Sequence, residues 1–163
     1  MKHLTPIYDI AHQFAQYTQT SIFITGNAGT GKTTFLRKLR STTQKQIAVV
    51  APTGVAAINA GGVTIHSFFQ LPFTPFVPTI EGEHNLMSKI KMTSMRRKAI
   101  QELELLVIDE ISMVRADLLD EIDTVLRHIR YRKNLPFGGV QVIFIGDLYQ
   151  LPPVVTPDVQ ETL

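Results

Sequence analysis

Residues 21–34 read Ser-Ile-Phe-Ile-Thr-Gly-Asn-Ala-Gly-Thr-Gly-Lys-Thr-Thr. An apolar run of strand length, Ser21–Thr25, leads into Gly-x-x-x-x-Gly-Lys-Thr over Gly26 to Thr33, with Thr34 behind it. The pattern has a physical reason. Glycines let successive backbone N–H groups turn inward around phosphate oxygens. A helix that starts directly afterwards aims its positive end at the same oxygens. Gly26, Asn27, Ala28, Gly29, Thr30, Gly31, Lys32, Thr33 and Thr34 are therefore the candidate phosphate cradle, or P-loop. Lys32 supplies a mobile charge for the outer phosphates, and the Thr33 hydroxyl is a candidate Mg²⁺ ligand. The competing reading is a chance match in a glycine turn. The strand before the motif and the helical spacing of Phe35, Leu36 and Leu39 after it favour the P-loop.

Three more apolar runs lie downstream: Gln46–Ala51, Leu105–Ile108 and Val140–Ile145. Each is short, rich in Ile or Val or Leu, and apolar at every other position as well as between. That is the pattern of strands buried on both faces of a parallel sheet. Helical patterns separate them. Ile10, Phe14 and Tyr17 mark one before the first strand. Ala116–Arg130 marks the clearest, with a stripe of Leu118, Leu119, Ile122, Val125, Leu126 and Ile129. Its acids (Asp117, Asp120, Glu121) come early and its bases late, as the helix dipole favours. Alternating strands and helices predict an α/β fold with a mainly parallel sheet. Leu71–His84, with its three prolines, predicts a long loop, and Asn85–Leu103 a basic helical segment.

Composition narrows the class. The chain has 163 residues, 44% hydrophobic and 18% charged, which predicts a single folded domain over 1–163 and excludes a disordered one. It has no cysteine, so disulfides, thiolate metal sites and cysteine nucleophiles are excluded. The net charge of +2 permits a nucleic-acid partner without arguing for one. No apolar run is long enough to span a membrane and no signal peptide is evident, which predicts a cytoplasmic protein without a membrane partner.

Leu105-Leu106-Val107-Ile108-Asp109-Glu110 is an apolar strand ending in two adjacent acids. Ligands of open α/β sheets bind outside the carboxyl ends of the strands. Asp109 is a candidate Mg²⁺ ligand, and Glu110 a candidate base for an attacking water. An ordinary strand with solvated acids is the plainer reading; the upstream P-loop argues against it. After the last apolar run comes Gly146-Asp147-Leu148-Tyr149-Gln150-Leu151-Pro152-Pro153. The Gln150 amide could bond both a terminal phosphate and a water, or the segment could be a plain turn. Behind the second run, Pro52-Thr53-Gly54 and later Thr64-Ile65-His66-Ser67-Phe68-Phe69 offer hydroxyls and backbone N–H groups to a sugar-phosphate chain. Phe68 or Phe69 could offer a stacking face. Thr53 also reads as a helix N-cap and the phenylalanines as core. The histidines lack metal-ligand spacing, and the basic run Lys89–Lys98 reads as a solvated helix face.

Taken together, GNAGTGKTT, APTGVAAINAGG, TIHSFF, VIDEISMV and PFGGVQVIFIGDLYQLPPV resemble the first motor domain of superfamily 1 DNA helicases, in the RecD-like, Dda-like and PIF-type branch. The resemblance covers about residues 20–155. It implies a RecA-like P-loop NTPase fold, with the four strands ordered second, third, fourth, first and helices on both faces. It implies ATP and Mg²⁺ as cofactors, and ATP-driven translocation, 5′ to 3′, on single-stranded DNA or at a junction of single and double strands. By position it implies that Lys32 and Thr33 bind phosphate and Mg²⁺, that Asp109 binds Mg²⁺, and that Glu110 and Gln150 act in hydrolysis. It implies DNA contacts at Pro52, Thr53, Gly54, Thr64 and His66. A small wedge insertion is expected at about residues 71–88, with Phe73 and Phe76 in it. The family's second motor domain, with its arginine finger, has no counterpart in the 163 residues. The resemblance therefore implies that this chain alone binds Mg·ATP but hardly hydrolyses it and does not unwind DNA. One departure is local: Leu4-Thr5-Pro6-Ile7-Tyr8 lacks the glutamine that family members use for adenine.

Overall fold

Four parallel strands form where the apolar runs lie: β1 (Ile22–Ile24), β2 (Ile47–Ala51), β4 (Leu105–Ile108) and β5 (Gln141–Ile145). The computed structural model describes residues 6–27 and 29–162. A fifth strand, β3 (Val63–Thr64), is only two residues long and pairs with the end of β2. The sheet order is β1-β5-β4-β2-β3, and every pairing is parallel. The expected order of the four main strands is therefore observed, with one short strand added at the far edge. This is the RecA-like arrangement.

Helices cover both faces. Helices α1 (Pro6–Tyr17), α2 (Lys32–Thr42) and α3 (Gly54–Ala60) precede β3; α4 (Ile65–Phe69), α5 (Ile80–Lys89) and α6 (Ser94–Glu102) lie between β3 and β4. Helix α7 (Ala116–Ile129) joins β4 to β5, and α8 (Pro157–Thr162) follows β5. Strand β4 shows why these runs are apolar throughout. Leu105 and Val107 enter a core with Phe35, Leu36 and Leu39 of α2; Leu106 and Ile108 enter the opposite core with Ile122, Val125 and Leu126 of α7. Alternate side chains point to opposite faces, so a strand covered on both sides has no polar face.

Two expectations change on contact with the structure. First, Ile10, Phe14 and Tyr17 do lie on a helix, yet they are exposed, and α1 buries Tyr8 and Ala15 instead. Second, the loop predicted for Leu71–His84 ends at Thr79. The Thr79 hydroxyl accepts the Gly82 N–H at 3.0 Å and caps α5, while the basic segment breaks between Lys89 and Ser94 into two helices. Two of the early acids of α7, Asp117 and Glu121, are buried. Among the described residues no helix is long and apolar enough to cross a membrane.

Candidate functional site

The strand order sets the motifs side by side along the carboxyl edge of the sheet. The P-loop follows β1, the Asp147–Gln150 turn follows β5, Asp109 and Glu110 follow β4, Thr53 follows β2, and Thr64 and His66 follow β3. A parallel sheet sends all these strand ends in one direction, so residues far apart in sequence share one rim.

At the P-loop, Gly29 (φ 82°) and Gly31 (φ 99°) adopt left-handed backbone that a side chain disfavours. Gly31 is also the N-cap of α2, so the loop turns directly into the helix N-terminus. A Cβ at Gly29 would meet nothing within 4 Å, which leaves the face of the loop open to a ligand. The Lys32 ammonium donates to the Gly26 carbonyl and, at 2.9 Å, to the Asn27 carbonyl. It thus lies folded across the loop, where the outer phosphates need a cation. The Thr30 hydroxyl donates to the Asn27 carbonyl at 2.9 Å and stiffens the turn. Thr33 is exposed at the start of α2 and Thr34 is half-buried. Ala28 lies outside the described residues, as do Leu4 and Thr5.

Sequence reasoning missed Tyr8. It stacks on Phe35 at 5.6 Å between ring centroids, and its hydroxyl lies 3.3 Å from the Thr30 hydroxyl. A Cβ at Gly31 would stand 3.5 Å from its ring. Helix α1 thus buttresses the P-loop from behind. The signal was present in α1, where Tyr8 and Ala15 are two turns apart on one face, but the larger Ile10, Phe14 and Tyr17 outweighed it.

Asp109 and Glu110 stand at the end of β4. Asp109 accepts the Glu110 N–H at 2.9 Å. Burial pushes the Asp109 carboxyl up from its ordinary value, against the pull of that hydrogen bond and of the Lys32 charge. Glu110 is pushed up by burial and by Asp109, and Lys32 pulls it back. The two acids therefore sense the P-loop cation although β5 runs between their strands. Glu110 has left-handed backbone, φ 54° and ψ 44°, a conformation that costs a non-glycine residue about 1 kcal/mol or more. The chain turns sharply there into the 3₁₀ turn Ile111–Met113. Among the described residues no group of three or more His, Asp or Glu could hold a metal. One carboxylate and one hydroxyl suit Mg²⁺, which takes its remaining ligands from phosphates and water.

The β5 end abuts this turn. A Cβ on Gly146 would stand 2.9 Å from Ile111 Cγ2 and 3.0 Å from its nitrogen, so glycine lets the two motifs touch. Asp147 is buried and accepts the Tyr149 N–H at 3.0 Å. Gln150 is exposed; its backbone N–H donates to the Asp147 carbonyl at 3.0 Å. Its amide is therefore free to swing toward a ligand at the rim. Tyr149 and its neighbours Leu148 and Leu151 are exposed.

At the other end of the rim, Thr53 and Thr64 are helix N-caps. Thr53 accepts the Ala56 N–H and Thr64 the Ser67 N–H, each at 3.2 Å. A hydroxyl that accepts in a cap still has its own proton to donate, so capping and a phosphate contact are compatible. Pro52 is half-buried and Gly54 opens into free space. His66 is half-buried, and Phe73 stacks on it at 4.5 Å with a 15° tilt. Burial, then the Arg115 charge, hold the His66 pKa below its ordinary value, so it is a neutral hydrogen-bonding ring at pH 7. Phe69 is wholly buried and offers no stacking face; Phe68 is half-buried with the Arg96 guanidinium 5.8 Å above its ring. The exposed ring of this region is Phe73, 86% accessible, whereas Phe76 is buried in the core beside Leu71 and Leu86.

The glycine pair before β3 has a structural duty. A Cβ on Gly62 would lie 2.1 Å from the Val49 carbonyl oxygen, a backbone atom that cannot step aside. Gly62→Ala is expected to destabilise the fold by about 2 kcal/mol or more. Urea unfolding monitored by circular dichroism measures it.

Comparisons with known proteins agree with this geometry. The family model described as PIF1-like helicase matches residues 4–163. The ATP-dependent DNA helicase PIF1 of Candida albicans is 44% identical over 140 residues, covering 83% of this chain and 15% of that protein. The PIF1 helicase of Homo sapiens is 42% identical over 137 residues, covering 82% of this chain and 20% of that protein. Among solved structures, the Bacteroides Pif1 helicase in complex with ADP-AlF3 and single-stranded DNA superposes with a TM-score of 0.87 at 46% identity, over 99% of this chain and 36% of that one. The chain thus spans about a fifth or less of these two curated relatives. A P-loop, a paired-acid strand and the His66 segment on one parallel rim, matched by a family model along nearly its whole length, assign this chain to the PIF1-like helicase family.

Proposed function

We propose that this chain is the ATP-binding and hydrolysing half of an ATP-dependent DNA helicase. The observation that carries the reading is the shared rim: Lys32, Asp109 and Glu110 interact electrostatically at one end, and the Thr53, Thr64 and His66 groups stand at the other. The P-loop residues 26–34 bind the phosphates of ATP, with Lys32 moving from its carbonyl partners to the outer phosphates. Thr33 and Asp109 fit Mg²⁺, which when bound offsets phosphate charge. Glu110 accepts a proton from the attacking water, and Gln150 reaches the terminal phosphate from the β5 turn. Pro52, Thr53, Gly54, Thr64 and His66 hold the backbone of single-stranded DNA, or of the single strand at a junction. Translocation along that strand, 5′ to 3′, is part of the same reading.

In this reading a second motor domain completes the site with a cation. Among the described residues Lys32 is the cation that acts on the acidic pair. An arginine finger is worth about 10³–10⁵ in rate, so residues 1–163 bind Mg·ATP and turn it over slowly. The segment over residues 71–88 forms the wedge region, with Phe73 as its exposed ring. A cytoplasmic setting suits a chain without cysteine.

The test is steady-state ATPase and binding of a fluorescent ATP analogue by residues 1–163, with and without single-stranded DNA. Binding with near-zero turnover is expected, and Lys32→Ala should weaken binding about 10- to 100-fold, the worth of a charged hydrogen bond. Robust Lys32-dependent turnover by the isolated chain would overturn the half-motor reading.

A further inference from the structure

A second polar cluster lies away from the phosphate site, between α7 and the 71–79 segment. Asp117 is 5% exposed and Glu121, one turn later, 2% exposed. The Asp117 carboxylate accepts two hydrogen bonds from Arg115, at 2.8 and 2.7 Å, and a third from the Phe76 N–H at 3.4 Å. Burial raises the Asp117 pKa, but these bonds outweigh it and hold the group ionised. Glu121 has no such support. Its Oε1 has no hydrogen-bond partner, and its side chain lines a cavity of about 210 Å³ with Pro72, Pro75, Phe76, Lys89 and Thr162.

Buried carboxyl groups without partners keep their proton. Burial first, and Asp117 second, push the Glu121 pKa up to about 8, with Arg115 and Lys89 pulling weakly the other way. Among the described residues these are the charged groups that act on it: Asp117 and Arg115 from α7 and its N-cap, and Lys89 from α5. Residues 71–79 carry no titratable side chain. At neutral pH the cluster therefore holds one negative charge, on Asp117, balanced by Arg115. Ionising Glu121 puts a second negative charge beside it and draws water into the cavity. The bond between Asp117 and the Phe76 N–H is the contact most exposed to that change. Phe73 lies three residues before Phe76 in the same segment, stacked on His66.

We propose that Glu121 is a positioning residue whose proton keeps the 71–79 segment seated on α7, and with it Phe73 on His66. Loss of the proton unseats the segment while the sheet stays folded. The inference stands on the geometry of this cluster and does not depend on the motor function.

Amide exchange by NMR tests it on residues 1–163, with rates corrected for the intrinsic effect of pH. In the wild-type chain, protection of the Phe76 amide is expected to fall about tenfold between pH 6.5 and pH 9, as the neutral fraction does one unit above the pKa. The Ile143 amide in β5, which reports unfolding of the sheet, should stay better protected than Phe76 at both pH values. In Glu121→Gln the Phe76 protection should be flat. The carboxyl ¹³C shift of Glu121 gives an independent midpoint in the wild-type chain and decides the matter even if the variant folds poorly. A midpoint in the ordinary carboxylate range, a fall in Phe76 protection that persists in Glu121→Gln, or Phe76 protection equal to that of Ile143 at pH 9 would each overturn the proposal.

Discussion

Glu110→Gln is expected to lower the DNA-stimulated ATPase turnover of the complete helicase by about 10²–10⁴-fold, the usual contribution of a positioned general base. Nucleotide affinity should not fall, because the substitution removes a negative charge near the phosphates. The amide keeps the size of the side chain and the left-handed turn at Glu110, so the fold should be unaffected. The raised pKa matters here as well. A base whose affinity for protons is lifted by burial and by Asp109 is a stronger acceptor once ionised, and turnover should rise with pH through that raised value. The acid limb of the wild-type pH profile should therefore lie above the ordinary glutamate range and vanish in Glu110→Gln. Single-turnover hydrolysis together with analogue binding separates the two effects. A variant with unchanged turnover would mean that Glu110 is no base, and that the rim binds nucleotide for some purpose other than hydrolysis.

The second large effect runs opposite to the usual direction of mutation. Glu121→Gln is expected to stabilise the chain by on the order of 3 kcal/mol at pH 7. In the unfolded chain the carboxyl titrates near 4.5, and in the folded chain near 8. Folding at pH 7 must therefore take up a proton, and that uptake costs about 1.4 kcal/mol for each unit between 4.5 and 7. The folded pKa is the higher one, so this group favours folding most at low pH. Its share of stability declines as pH rises from about 4.5 to about 8 and is constant above that. Glutamine fills the same space and has no proton to take up. The gain should be near zero at pH 4.5 and largest at pH 8, which thermal melts at the two values measure. At about 2–4 °C per kcal/mol for a chain of this size, the difference is easily resolved. Equal gains at both pH values would mean that packing, not charge, is responsible.

Glu121 also shows what kind of information sequence carries. Asp117 and Glu121 near the start of α7 were read only through the helix dipole, which says nothing of their burial. Yet Glu121 lies three residues after Leu118 and four before Val125, both buried, so helical spacing puts it inside the apolar stripe. The signal existed, and the dipole reading did not use it. The strands were easier. Leu105–Ile108 needs no partner to be recognised, because burial on both faces removes every polar position. The P-loop was legible for a different reason: its glycines answer to backbone geometry that few other residues allow. What could not be read locally is which face of a helix meets the sheet when large apolar residues occur on both. In α1, Ile10 and Phe14 stand beside β1 at the edge of the sheet, and Tyr8 and Ala15 are the residues buried in the core. Phe73 and Phe76 pose the same difficulty. Three residues apart in a proline-rich segment, one is buried and the other is a surface ring, and only the packing of α5 and α7 distinguishes them.

The parallel sheet also acts as a ruler. Neighbouring strands are held about 4.8 Å apart, so the four steps from β1 to β3 set the two ends of the rim roughly 19 Å apart. Strands β4 and β5, sealed in apolar packing on both faces, make a plate that resists shortening or stretching. The distance between the two ends of the rim is therefore a constant of the part. Any change of spacing must arise where this plate meets a neighbour, and is counted in movements of the whole plate.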